Sequence, residues 1–552
     1  MNLLVRKMLL LLLLAAGLFA PELRAEKPRL VVQIVVGSMS PDCLTRYADH
    51  LSEGGFRRLQ REGVTFTAAS YPCQQTLTLT SLATLTTGAL PSTHGVVGSH
   101  WYDYIDNSRV GLIDDPSVQG LEYHTGGGQF SPWQLVAPTL AETLAAHSPE
   151  SRIVTLALEP EDAIVLGGKG GITFWMNRQL CHWRSSSFYL PILPDWVKQY
   201  NRAKTPLNYI LQPWSTLYTS PDYVNRRRGD ILVRPPQKTK GNPRPYAGTP
   251  IRDLRCEVVY RTEYDRLCYT PAGNSAVLDF AKQALTQLSL GADEIPDLLN
   301  IYLSTPKMIT EAYGPESIDA EDMFYRLDRD LEDFLTYLFA QVNEEQVVVV
   351  LTADHGTSPS YDLSPREQER FNVPQFEMIL ESFLDARYGK AEQDWLLEYE
   401  QKMIYLNHNL IYERRLSLAE VQNEVATFAM QFRGVSHALS STAMRNSYFG
   451  SGYAQLMQNS FYPRRSGDVV LNLMPGWIEK QERKRASSGS LYGYDREVPL
   501  LIRLPKGVGQ TAGSCYGEEI EMNAVAPTLA QILGIPSPAA CEAKALKLTR
   551  EF

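Results

Sequence analysis

The chain has 552 residues, 44% hydrophobic and 21% charged, with a formal net charge of −9 and a pI near 5.6. That length exceeds one simple core, so several lobes or one domain with large insertions is expected. The acidic balance excludes the electrostatic footprint of a nucleic-acid binder, and no run of about 20 apolar residues beyond the N-terminus offers a membrane span.

At the N-terminus Arg6 and Lys7 precede the apolar run of residues 8–19, and Ala25 supplies a small residue for cleavage. The pattern predicts a secretory signal peptide over residues 1–25 and a periplasmic or secreted protein. Pro21 argues against cleavage after Ala20. Export permits disulfides. Among the seven cysteines, Cys256 with Cys268 and Cys515 with Cys541 are candidate local pairs, and the odd count leaves at least one thiol over. No C-x-x-C spacing points to a thiolate metal site.

Residues 30–36, LVVQIVV, form a continuous apolar run and predict the first core strand, with a helix after Asp42. Residues 64–68 predict a second strand. The threonine-rich stretch 71–88, YPCQQTLTLTSLATLTTG, reads either as a half-buried strand or as a turn presenting one hydroxyl at a helix N-terminus. Residues 153–158 predict a short strand followed by Glu159, Pro160, Glu161 and Asp162. From about 183 to 269 Pro, Tyr, Trp and Arg are dense and no period survives, as in a cap; Arg226–Arg228 reads as a solvated basic face. An amphipathic helix over 275–290, a strand over 298–304 and a long helix over 319–342 follow, the last with Phe324, Leu327, Leu331, Phe334 and Leu338 on its apolar face.

Residues 347–356, VVVVLTADHG, are the focus of the pattern. Four valines and a leucine predict a strand buried on both faces, ending in Asp354, His355 and Gly356, where reacting groups sit in open α/β sheets. A second insertion reaches about residue 463, with helical stretches near 393–402 and 418–431 and a short strand at 403–406. Strands at 469–474 and 498–503 and a helix at 523–533, stopped by Gly534 and Pro536, close the chain. The predicted fold is α/β, a doubly wound, mostly parallel sheet with two inserted segments. Its parts are a signal peptide (1–25), three core pieces (26–182, 271–357 and 464–552), a cap (183–270) and an α+β insertion (358–463).

A set of spaced motifs makes a resemblance specific: GALPSTHG at 88–95, WYD at 101–103, LTADHG at 351–356, YLNH at 405–408, RSGD at 465–468, PGWI at 475–478, and YD at 494–495 before VPL at 498–500. In this order they resemble the alkaline phosphatase superfamily. More narrowly they are similar to its exported, monomeric, Thr-nucleophile phosphatases of the PafA type. The resemblance implies a phosphoryl displacement clamped by two zinc ions about 4 Å apart. It places the Thr nucleophile at Thr78, with Thr76 and Thr80 as register alternatives, and retains Asp354 and His355 as metal ligands.

Elsewhere the chain departs from the family. Gly37 stands for the Asp of the first strand and Ser99 for the Asn that meets the phosphoryl group. Glu159 and Glu161 stand for a Lys and an Arg. Lys307 and Glu311 replace an Asp and a His ligand, and Ser488 replaces the last His. Zn²⁺ needs about four N, O or S ligands, and two cations turned into carboxylates repel a phosphate dianion.

The expectation is therefore an exported pseudo-phosphatase without a cofactor, acting by holding an unidentified ligand or protein partner. The alternative is a divergent metal-dependent phosphatase or phosphodiesterase that uses Thr78 and one residual zinc or other divalent cation. Glu159, Glu161, Glu311 or Asp42 are then the further oxygen donors. His94, His100 and His408 read as hydrogen-bonded structural residues.

Overall fold

The computed structural model describes residues 27–121, 127–177, 180–203, 208–209, 214–219, 222–225, 264–360, 370–480, 484–505 and 512–548. The signal-peptide segment, Cys256 and the Arg226–Arg228 run lie outside the described residues, as does much of the expected cap.

The continuous apolar runs form the middle of a nine-stranded sheet. Its strands are β1 (Leu30–Val36), β2 (Val64–Ser70), β3 (Ile153–Ala157), β4 (Ile172–Asn177), β5 (His182–Arg184), β6 (Asp297–Leu303), β7 (Val347–Ala353), β8 (Glu497–Arg503) and β9 (Ser514–Glu521). The spatial order is β9-β2-β8-β7-β1-β6-β3-β4-β5. β1 lies parallel between β6 and β7, with Val36 opposite Leu303 on one side and Ala353 on the other. Every residue of these three strands is buried, as continuous apolar patterning requires of a sheet covered on both faces. β8 runs antiparallel to β7 and β2, and β5 antiparallel to β4. Chain connections leave β1 in both directions, so the carboxyl ends of β1, β6 and β7 converge at a topological switch point.

Helices that position the site are α1 (Thr78–Thr87), α2 (Pro160–Gly167), α3 (Asp195–Arg202), α4 (Ala272–Gln287), α5 (Thr305–Tyr313) and α6 (Ile318–Gln341). The threonine-rich stretch is thus a helix, all ten residues buried, with Thr78 as its first residue and Gly88 closing it in the left-handed region at φ 71. α6 carries the predicted stripe: Phe324, Leu327, Leu331, Phe334 and Leu338 are all buried.

The second insertion builds an antiparallel four-stranded sheet in the order Leu396–Glu400, Met403–Leu406, Val469–Leu473, Val435–Ser440. It has its own apolar cluster around Phe376, Trp395, Ile411 and Val425. Two expectations change here. Residues 396–400 form a strand rather than a helix, because they pair with Met403–Leu406 through a tight turn at Gln401 and Lys402. Val469–Leu473 joins this small sheet, pairing with strands on both sides, and not the central one. Cys515 and Cys541 carry free thiols, which corrects their expected pairing. Cys515 lies on the edge strand β9, whereas Cys541 packs against Gly88 at the end of α1. No helix among the described residues is long and apolar enough to cross a membrane.

Candidate functional site

The switch point brings Thr78, Asp354 and His355 together, as their sequence positions predict. Asp354 follows the last residue of β7 and is fully buried. Its Oδ1 accepts from the backbone N–H of Ser38 and of His355, both at 2.8 Å. Its Oδ2 accepts from the Thr78 hydroxyl at 2.7 Å and the Tyr302 hydroxyl at 2.8 Å. Four donors fill the four lone-pair sites of the carboxylate. Ser38 reaches Asp354 from a left-handed backbone, φ 56, and anchors its own hydroxyl on Gly356 O.

The Thr78 hydroxyl donates a hydrogen bond to Asp354 and accepts one from the Lys307 ammonium, Nζ to Oγ1 2.8 Å. Lys307 reaches in from the first turn of α5 because Gly37 leaves room for it. A Cβ on Gly37 would stand 2.9 Å from Lys307 Cβ and 3.0 Å from the Tyr302 hydroxyl. Any side chain at 37 would therefore have to displace the Cβ of residue 307 or the Tyr302 hydroxyl. Burial acts to lower the Lys307 ammonium, but the surrounding carboxylates of Glu311, Asp162, Asp354 and Glu159 hold it above its ordinary value.

His355 lies with Nδ1 2.6 Å from Gly356 O, so Nδ1–H donates there, and its Nε2 stands 3.3 Å from Asp354 Oδ2. Nε2 is 3.4 Å from both the Thr78 and the Ser488 hydroxyls. Ser488 therefore occupies the neighbourhood of the missing imidazole without its ligating nitrogen. Glu311 turns to Lys484, 2.9 Å away. Burial acts to raise its carboxyl, but Lys484 and Lys307 hold it below the usual carboxylate range.

Asp162, in the first turn of α2, escaped the sequence reading. Burial pushes its carboxyl well above the usual range, Lys307 opposing and Glu159, Glu161 and Asp354 adding to the rise. Glu159 and Glu161 flank it on α2. Asp42 faces Ser40 and Arg46 instead of Thr78. Ser99 meets His100 at 3.0 Å through its hydroxyl. Beside the centre opens a cleft of about 420 Å³ that shares Ser38 with it and takes Arg46, Thr310, Thr357 and Tyr494 into its wall.

The donor set does not fit the family's zinc pair. Asp354 is saturated, Glu311 is engaged by Lys484, and positions 37 and 488 offer no carboxylate or imidazole. Among the described residues no group of three or more His, Cys, Asp or Glu side chains is arranged to hold a metal ion.

The other candidate histidines are hydrogen-bonded. His94 accepts from Val96 N–H at Nδ1, 3.1 Å, and meets the Thr84 hydroxyl at Nε2, 3.0 Å. His408 Nε2 binds Asp468 at 2.9 Å and stacks on Tyr104 at 3.8 Å.

A mostly parallel sheet with a Thr–Asp–His centre at its switch point defines a class. The chain belongs to the type I phosphodiesterase / nucleotide pyrophosphatase family, whose sequence profile matches residues 31–495. Within the alkaline phosphatase superfamily it resembles the PafA-type enzymes. It is 26% identical to alkaline phosphatase PafA of Elizabethkingia meningoseptica, covering 98% of both chains. Against alkaline phosphatase PhoV of Synechococcus elongatus it is 28% identical, covering 93% and 91%. A protein of Myroides odoratus named calcium-transporting ATPase is 29% identical, covering 93% of each. The crystal structure of wild-type PafA superposes with a TM-score of 0.85 at 25% identity, covering 94% of this chain and 98% of that one.

Proposed function

We propose that this chain is an exported, catalytically silent member of its family that needs no metal and acts by binding a ligand or partner at the old cleft. One observation carries the reading: the Thr78 hydroxyl is held between the Asp354 carboxylate and the Lys307 ammonium. An ammonium at hydrogen-bond distance occupies space that a metal bridging Thr78 and Asp354 would need, and it repels a second cation there. It neutralises the buried carboxylates as a metal would, but it has no open coordination position to polarise a phosphoryl oxygen. Thr78 then remains a hydrogen-bonded alcohol. The leader pattern at residues 1–25 supports export.

A second reading, a divergent phosphatase or phosphodiesterase using Thr78, is favoured by His355, whose Nδ1–H on a carbonyl leaves Nε2 oriented as a metal-ligating imidazole is. Hydrolysis of an aryl phosphate and an aryl phosphodiester with added Zn²⁺, beside Thr78→Ala, separates the two. The silent reading expects equal background rates for both proteins. Zinc-dependent turnover lost in Thr78→Ala would establish the second reading.

A further inference from the structure

Apart from the Thr78 centre, helices α3, α4 and α6 line a cleft of about 390 Å³. The volume lies within the range of small-molecule sites. Its aromatic wall is Trp196 and Tyr200, one turn apart on α3, with Tyr337 of α6 opposite. Phe280 backs the first two, with centroids 5.2 Å from each ring. Tyr337 is fixed by Thr286, hydroxyl to hydroxyl at 2.5 Å. Rings buttressed in this way offer rigid flat surface at low entropic cost.

The polar wall is unusual for a bare helix–helix groove. Gln199, Gln283 and Gln287 line it, all exposed and each carrying both donor and acceptor groups. Its charges cancel. Lys282 is held by Asp279 at 3.1 Å and by Asp333, so the cleft offers an anion no unpaired cation. Trp196 Nε1 and Tyr200 Oη beside it are buried without a hydrogen-bond partner. Such orphans are costly to leave unpaired and call for a ligand or an ordered water.

We propose that this cleft binds a neutral, hydroxyl-rich ring, a saccharide unit, which lays its C–H face on Trp196 and Tyr200 and pairs its hydroxyls with the three glutamines. Aromatic plates answer the apolar face of a sugar, and amides that both donate and accept answer its hydroxyls. A phosphorylated ligand has no unpaired cation to meet here, and a purely apolar one would strand the amides.

The test is saturation-transfer NMR of cellobiose, lactose and chitobiose with the mature chain, repeated with Gln199→Ala, Gln283→Ala and Trp196→Ala. Gln199 and Gln283 are exposed, so their variants keep the fold, which a melting curve checks. The expected result is transfer to the ring protons of at least one sugar, weakened about tenfold in affinity by either glutamine change and abolished by Trp196→Ala. No transfer from the native chain to any of the three sugars overturns the proposal. Transfer undiminished in both glutamine variants also overturns it, since the sugar would then be held elsewhere.

Discussion

Two buried carboxylates in this molecule are satisfied in the same way and stand in different surroundings. Asp354 takes two backbone N–H groups, a threonine and a tyrosine hydroxyl. Asp468, where the inserted sheet meets the core, takes the Leu406 N–H, the Tyr104 hydroxyl, the Gln422 amide and His408 Nε2. Each accepts four hydrogen bonds. Asp468 ties Tyr104, at the turn between the paired strands His100–Asp103 and Ser108–Gly111, to the inserted sheet, with the Tyr104 and His408 rings stacked on each other. Asp354 sits in the position of a family metal ligand but is bonded like a structural anchor, with Lys307 supplying the positive charge. The difference teaches that the same four-donor saturation of a carboxylate serves both at the family's ligand position and at a plain structural joint.

The comparison breaks hardest at Lys307. Lys307→Ala strips the ammonium from beside Asp162, Glu311 and Asp354 and leaves buried carboxylates uncompensated. Urea unfolding should show a loss of about 3–5 kcal/mol. A loss under about 1 kcal/mol would mean that the ammonium is not the counter-ion of the centre.

Asp354→Asn and Asp468→Asn should each cost about 2 kcal/mol, the scale of hydrogen bonds to a charged acceptor. Similar penalties would show two anchors of one kind. A neutral or stabilising Asp354→Asn would instead mark a carboxylate kept for a ligand rather than for the fold.

A smaller effect sharpens the structural side through pH. Burial, with Arg465 adding, lowers His94 to about 3. A histidine depressed in the folded state binds fewer protons there than in the unfolded chain. Its contribution is therefore full above about 6.5 and is lost as pH falls toward about 3, at up to about 1.4 kcal/mol per pH unit. His94→Gln, matched against wild type across that window, should remove this part of the slope. Parallel curves would contradict the neutral, fully bonded ring.

Much of this was legible in the sequence. The runs at 30–36 and 347–353 have no polar interruption beyond Gln33 and Thr352, so a doubly covered strand suits them, and the polarity switch at Asp354 marks where the sheet ends. Thr78 could be counted from Gly88 because α1 ends there. What stayed hidden depends on three-dimensional contact. Tyr302 lies inside an apolar strand, opposite Val35 in the register, and reads as core until its hydroxyl is found on Asp354. Lys307 reads as a charge of the wrong sign at a ligand position, whereas its role follows from the space left by Gly37. Asp162 hides in an acidic run that looks solvated. Residues 396–400 were misjudged because their apolar positions suit either period, and pairing with the next strand decides between them.

The central claim is that Lys307 and the hydroxyls on Asp354 have replaced the metal. The most direct test is a calorimetric titration of the mature, metal-stripped chain with Zn²⁺, run beside Asp354→Ala. The account predicts no stoichiometric binding that depends on Asp354 and an unfolding temperature unmoved by chelator. One or two zinc ions bound per chain, lost in Asp354→Ala and raising the unfolding temperature as a ligand of the folded state must, would contradict it.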